Sequence, residues 1–134
     1  MLALSSTGDI RVALDMRSLI SEPAAIDAQG NAYVGMAWGV AAVSPSGQQL
    51  WSARSAEPPN WYLHVWARPA LSADGTLIVS DDTGAVRGVR DGAVVWSVER
   101  ESIADHSISD SIAIGPDGTF YGGSLGTSYL YAMR

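Results

Sequence analysis

The chain has 134 residues, 47% of them hydrophobic and 16% charged, with a net charge of −6 and no cysteine. This is the composition of a folded domain with a core, far from the disordered class. It excludes disulfides, thiolate metal sites and cysteine nucleophiles, and the lack of a Lys/Arg cluster argues against nucleic acid or an anionic membrane surface as a partner. The first nine residues, Met1 to Asp9, carry neither a basic stretch nor a long apolar one, so no signal peptide is expected. No apolar run approaches the roughly 20 residues of a membrane span.

Taken in chain order, the sequence repeats itself. Residues 1–15 hold a partial copy: Ala3-Leu4, Gly8 and Val12 reproduce the spacing of Ala42-Val43, Gly47 and Trp51, with Val in the Trp place. Residues 22–53 form a full copy, with Pro23-Ala24, Gly30, Tyr33-Val34-Gly35, Gly39, Gly47 and Trp51. Residues 67–98 form the next, with Pro69-Ala70, Asp74-Gly75, Gly84, Gly92 and Trp96. Gly39/Gly84, Gly47/Gly92 and Trp51/Trp96 each recur after about 45 residues. Residues 110–134 carry Pro116-Asp117-Gly118, Phe120-Tyr121-Gly122 and Leu130-Tyr131-Ala132-Met133.

Each period reads as four short strands. In the second full copy they are predicted at 70–72, 77–80, 85–89 and 93–98; across the copies the strands are filled by Val, Ile, Tyr and Trp. The joins hold Ala73-Asp74-Gly75 and Arg90-Asp91-Gly92, where Asp-Gly supplies the positive φ of a tight hairpin. No segment keeps a helical period, so almost no helix is expected. Four strands in a period of about 45 residues predict an all-β fold of β-propeller blades, about three per chain. An immunoglobulin-like sandwich also has short strands but no reason to repeat its sequence.

The pattern of Pro23-Ala24, a Gly30 turn, Tyr33-Val34-Gly35, Ala42-Val43, Gly47 and Trp51 resembles the repeat of pyrroloquinoline-quinone-type (quinoprotein-like) β-propellers. The likeness extends over nearly the whole chain and is weaker at residues 55–65. It implies rings of six, seven or eight blades. Some members are dehydrogenases that bind pyrroloquinoline quinone and calcium; others are scaffolds or sensor domains, often in the bacterial cell envelope. In the dehydrogenases the quinone is held between a Trp and adjacent cysteines, and this chain has no cysteine. The resemblance therefore implies architecture, and the chemistry does not come with it.

Several residues have both a functional and a packing reading. Trp51 and Trp96 are either a ligand-stacking platform or anchors between blades; recurrence in the same place favours anchors. Trp61, His64 and Trp66 sit in a connection that does not repeat, and form either a binding surface or a cover for a blade edge. Glu22, Arg68 and Asp110 each precede the first strand of a blade, where they either ring the channel mouth around a ligand or are solvated loop ends. Asp105-His106-Ser107 contains the residue types of a hydrolase triad, but a neighbouring run does not give triad geometry. His64 and His106, the only histidines, lack zinc-ligand spacing, and the Asp-Gly turns lack the ligand density of a calcium loop.

The reading is a non-catalytic binding or scaffold module with a protein or small-molecule ligand at the channel mouth or the inter-blade loop. No catalytic residue, metal site or cofactor is expected. The alternative is a fragment or half of a quinoprotein dehydrogenase, with pyrroloquinoline quinone and calcium. About three blades do not close a ring of four to eight. Residues 9–14 read as a fourth strand without a blade, and the last copy stops after its third strand. The expectation is a homodimer in which residues 9–14 of one chain complete the last blade of another, giving a six-bladed ring. Ala3-Leu4 and Ala132-Met133 then claim one place, so one of them is displaced. The competing expectation is a fragment of a longer propeller.

Overall fold

A computed structural model of the chain describes residues 2–4, 6–16, 23–37, 39–54, 68–80, 85–98, 112–123 and 130–134. Among these, every regular element is a β-strand, and no helix is long and apolar enough to cross a membrane. The strands β1 (Leu2–Leu4) and β2 (Ile10–Ala13) form a hairpin. The first blade is an antiparallel meander of β3 (Ala25–Ile26), β4 (Ala32–Met36), β5 (Gly39–Val43) and β6 (Gln49–Arg54). The second repeats it with β7 (Ala70–Leu71), β8 (Leu77–Ser80), β9 (Val86–Arg90) and β10 (Ala93–Val98). The third shows β11 (Ala113–Ile114), β12 (Phe120–Gly123) and β13 (Leu130–Met133). The short strand β7 lies beside both β3 and β11, so the first strand of each blade lines the inner side of the arc.

One turn recurs between the first and second strands. The N–H of Asp27, Ser72 or Gly115 donates to the carbonyl four residues on. The same residue's carbonyl accepts from the N–H of Gly30, Gly75 or Gly118. Those glycines have φ of +84°, +83° and +81°, which closes a type I turn with a left-handed residue. The β9–β10 turn is tighter: Asp91 (φ 50°) and Gly92 (φ 81°) form a two-residue hairpin. The predicted positive φ at Asp-Gly therefore holds for both residues only there. At Asp74-Gly75 the glycine alone takes it, because that loop has three residues.

Side chains alternate between the two faces of every blade, as strand geometry requires. On the first blade Met36, Ala41 and Val43 pack against Leu14 and Met16, which follow β2. Its other face, with Tyr33, Val40, Trp51 and Ala53, meets Leu71, Leu77, Val79 and Val89 of the second blade. The far face of the second blade, with Ile78, Val86 and Trp96, meets Ile112, Phe120 and Met133 of the third. The core is thus a series of layers between blades.

Trp51 and Trp96 occupy one register place, opposite Ala42 and Gly88. Trp51 packs against Tyr33 with ring centroids 5.9 Å apart. Trp96 stacks on Phe120 across the blade boundary, also at 5.9 Å. Gly88 lies under the Trp96 indole so closely that a Cβ there would stand 2.2 Å from Nε1. Both tryptophans are anchors between blades. Gly88→Ala must push the indole off its seat, and is expected to cost about 1–3 kcal/mol of stability as overpacking. Urea unfolding followed by tryptophan fluorescence checks this; an unchanged midpoint would show that the indole does not need the glycine.

Candidate functional site

Of the predicted site residues, Arg68 is described. It is exposed, just before β7, next to the buried Pro69. Glu22, Trp61, His64, Trp66 and Asp110 lie outside the described residues, as do His106 and its neighbours. The proposed ring of charges and the aromatic loop are therefore represented by Arg68 alone.

Two clefts lie along the rim that carries the first turn of each blade. One, of about 450 Å³, separates the first and second blades and is lined by Asp27, Gln29, Tyr33, Asp74, Arg90 and Asp91 among others. The other, of about 810 Å³, separates the second and third blades. Its walls include Ile78, Trp96, Phe120 and Met133, with Asp74 and Arg134 at its polar margin. The sequence marks Asp74 as part of an Asp-Gly turn, and gives no role to Asp27 and no place here to Arg90 or Tyr33. Their convergence is tertiary, and the recurrence of an acidic residue in the hairpins was the one available signal.

The carboxylates of this rim hold their own turns. Asp27 accepts from the N–H groups of Gln29 and Asn31, at 2.9 and 2.8 Å. It also accepts from the Asn31 amide and from the Tyr33 hydroxyl, at 2.8 and 2.9 Å. Desolvation pushes the Asp27 carboxyl up, but these donors together outweigh it and leave the pKa below the ordinary value. Asp74 accepts from the Ser72 hydroxyl, the Thr76 N–H and hydroxyl, and the Arg90 guanidinium. With the Ser72 hydroxyl foremost, these contacts lower its pKa to about 2. Asp117 repeats the pattern with the Thr119 hydroxyl and N–H, which also lower it. The Asp74–Arg90 ion pair is largely exposed, so its own contribution is small.

Chemically the rim is a set of filled acceptors. Among the described residues no three His, Cys, Asp or Glu side chains group as a metal site. The three depressed carboxylates give the fold a defined acid response. A folded-state pKa below the unfolded one contributes stability above the unfolded value of about 3.9, and that stability is lost as pH falls through the folded pKa. The urea midpoint is therefore expected to fall between about pH 4 and pH 2. Asp74→Asn should flatten that part of the curve. An identical slope in the variant would show that the Asp74 contacts do not form.

No family model matches the chain, and no curated protein matches it. Solved structures do. A Bacteroides caccae protein of unknown function superposes with a TM-score of 0.62 at 17% identity, over 98% of this chain and 51% of its own. Virginiamycin B lyase from Staphylococcus aureus, a β-propeller protein, superposes with a TM-score of 0.68 at 12% identity, over 98% of this chain and 47% of its own. BamB from Moraxella catarrhalis is more distant, with a TM-score of 0.44 at 15% identity over 87% of this chain and 50% of its own. The chain is thus an arc of β-propeller blades, about half the length of the solved structures it resembles.

Proposed function

We propose that the chain is a non-catalytic β-propeller module that binds a protein or small-molecule ligand at its channel mouth, near Arg68, or on the loop carrying Trp61, His64 and Trp66. The observation that supports it most is how far packing and turn formation account for the chemically conspicuous described residues. Trp51 and Trp96 wedge blade against blade, and Asp27, Asp74 and Asp117 are taken up by their own turns. What a propeller offers after that is a rigid frame with loops at its rims. We further propose that a second copy completes the ring, with β2 of each chain as the fourth strand of the other's last blade. Six blades then close with two-fold symmetry, within the range of closed propellers.

Light scattering of the chain at micromolar concentration, with an absorbance titration against pyrroloquinoline quinone and calcium, tests both parts. The expected result is a discrete dimer with no saturable spectral change. A well-folded monomer would overturn the dimer. A saturable quinone spectrum would overturn the non-catalytic reading in favour of half of a quinoprotein dehydrogenase.

A further inference from the structure

The chain contains three Asp-Gly pairs: Asp74-Gly75, Asp91-Gly92 and Asp117-Gly118. Such a pair can cyclise, because the glycine has no Cβ to block its nitrogen from attacking the aspartate side-chain carboxyl. The reaction needs a carboxyl free to turn onto the next peptide and a glycine N–H that is not already bonded. The fold treats the three pairs differently on both counts.

At Asp74 and Asp117 both groups are engaged. The Gly75 N–H donates to the Ser72 carbonyl and the Gly118 N–H to the Gly115 carbonyl, each at 3.0 Å. The Asp74 carboxylate accepts from the Ser72 hydroxyl, the Thr76 N–H and hydroxyl, and Arg90. Asp117 accepts from the Thr119 N–H at 3.1 Å and its hydroxyl at 2.7 Å. These bonds hold each carboxylate on the residue after the glycine. They also favour the ionised form, whereas cyclisation consumes the protonated acid.

Asp91-Gly92 has neither restraint. The β9–β10 loop has two residues, with Arg90 paired to Ala93. The hydrogen bond that closes such a turn belongs to the N–H of its fourth residue, here Ala93, and leaves the Gly92 N–H unused. Among the described residues no main-chain hydrogen bond takes up that N–H, and none reaches the Asp91 carboxylate. Asp91 is exposed, takes a positive φ of 50° and borders the cleft between the first and second blades.

We propose that Asp91-Gly92 is the site at which the folded chain forms succinimide and then isoaspartate, while the turns protect Asp74-Gly75 and Asp117-Gly118. The Gly92 nitrogen bonds to the Asp91 Cγ. Its proton and the carboxyl hydroxyl leave as water, which closes a five-membered ring. Water then adds to one of the two ring carbonyls. Cleavage of the bond from nitrogen to Cγ restores aspartate; cleavage of the bond from nitrogen to the original main-chain carbonyl carbon leaves the main chain running through Cβ and Cγ. Water is the sole co-reactant.

The product alters a blade junction. The Cβ position of Gly92 lies 3.2 Å from Trp51 Cβ, so this turn rests on the tryptophan that joins the first blade to the second. Isoaspartate lengthens the loop by one main-chain atom and moves the free carboxylate to Cα. A two-residue turn has no slack for that atom, so the Arg90–Ala93 pairing and the seat on Trp51 are disturbed together.

Trypsin, cutting after Arg87 and Arg100, places Asp74, Asp91 and Asp117 in three separate peptides. The full chain is aged near neutral pH, in buffer and in denaturing guanidinium chloride, and isoaspartate in each peptide is followed by mass spectrometry with electron-transfer fragmentation. In buffer the Asp91 peptide is expected to gain isoaspartate several-fold faster than the other two; in denaturant the three rates converge. Asp91→Glu, whose longer side chain does not close a five-membered ring, is expected to keep its urea midpoint on ageing while that of the parent chain falls. Equal rates in buffer, or a faster rate at Asp74 or Asp117, overturn the assignment. A lead of Asp91 that persists unchanged in denaturant also overturns it, since local sequence and not the fold would then set the rate. Equal declines of the midpoint in the variant and the parent overturn the effect on the blade junction.

Discussion

Sheet stacked on sheet is the constraint on which the rest of this molecule depends. A blade has two apolar faces, and each is removed from water by the neighbouring blade. Val40, at 0% exposure, and Val86, at 1%, are buried because another blade follows theirs. Leu130, in the same register place of the third blade, is 74% exposed. Burying a leucine fully contributes about 1.5–3 kcal/mol, so an uncovered face gives up a sizeable part of a domain's marginal stability. It also leaves apolar surface and a strand edge of the kind that recruits another strand. The geometry that makes the fold repeat thus has each blade cover the face of the one before it.

The recurring turns serve that stacking. Each first turn uses a left-handed glycine to reverse the chain in three residues. In the second and third blades the aspartate before that glycine binds the N–H and hydroxyl of the threonine after it. The first blade reaches the same end from another position: Asp27, at the first place of the turn, holds Gln29, Asn31 and Tyr33. Fixing the turn fixes which strand residues point to which neighbour, since a one-residue slip would swap the faces. The acidic rim and the apolar layers are thus linked, and the rim reads as structure before it reads as a binding surface.

Much of the fold was legible because a repeat states its period in its least replaceable residues. Gly47 and Gly92 mark turns, and Trp51 and Trp96 mark the outer strand, so strands predicted at 77–80 and 93–98 match β8 and β10. The first strand was predicted to reach Ser72, but Ser72 spends its N–H and carbonyl on the turn, so β7 ends at Leu71. The third was predicted from Ala85 and runs from Val86 to Arg90, because the two-residue turn lets pairing continue up to Asp91. The site was less legible. Arg90 meets Asp74 across a separation of sixteen residues, and that meeting is set by strand pairing that no local pattern displays. Arg68 stands exposed at the start of β7, and the other predicted site residues lie outside the described segments.

The proposed second copy on the third blade is tested most directly by amide hydrogen exchange along β13, read at several protein concentrations. β5, paired on both edges within the chain, serves as the internal reference. Exchange in Leu130–Met133 is expected to slow as concentration rises, while exchange in Gly39–Val43 stays constant. Equal and concentration-independent protection in the two strands would contradict it.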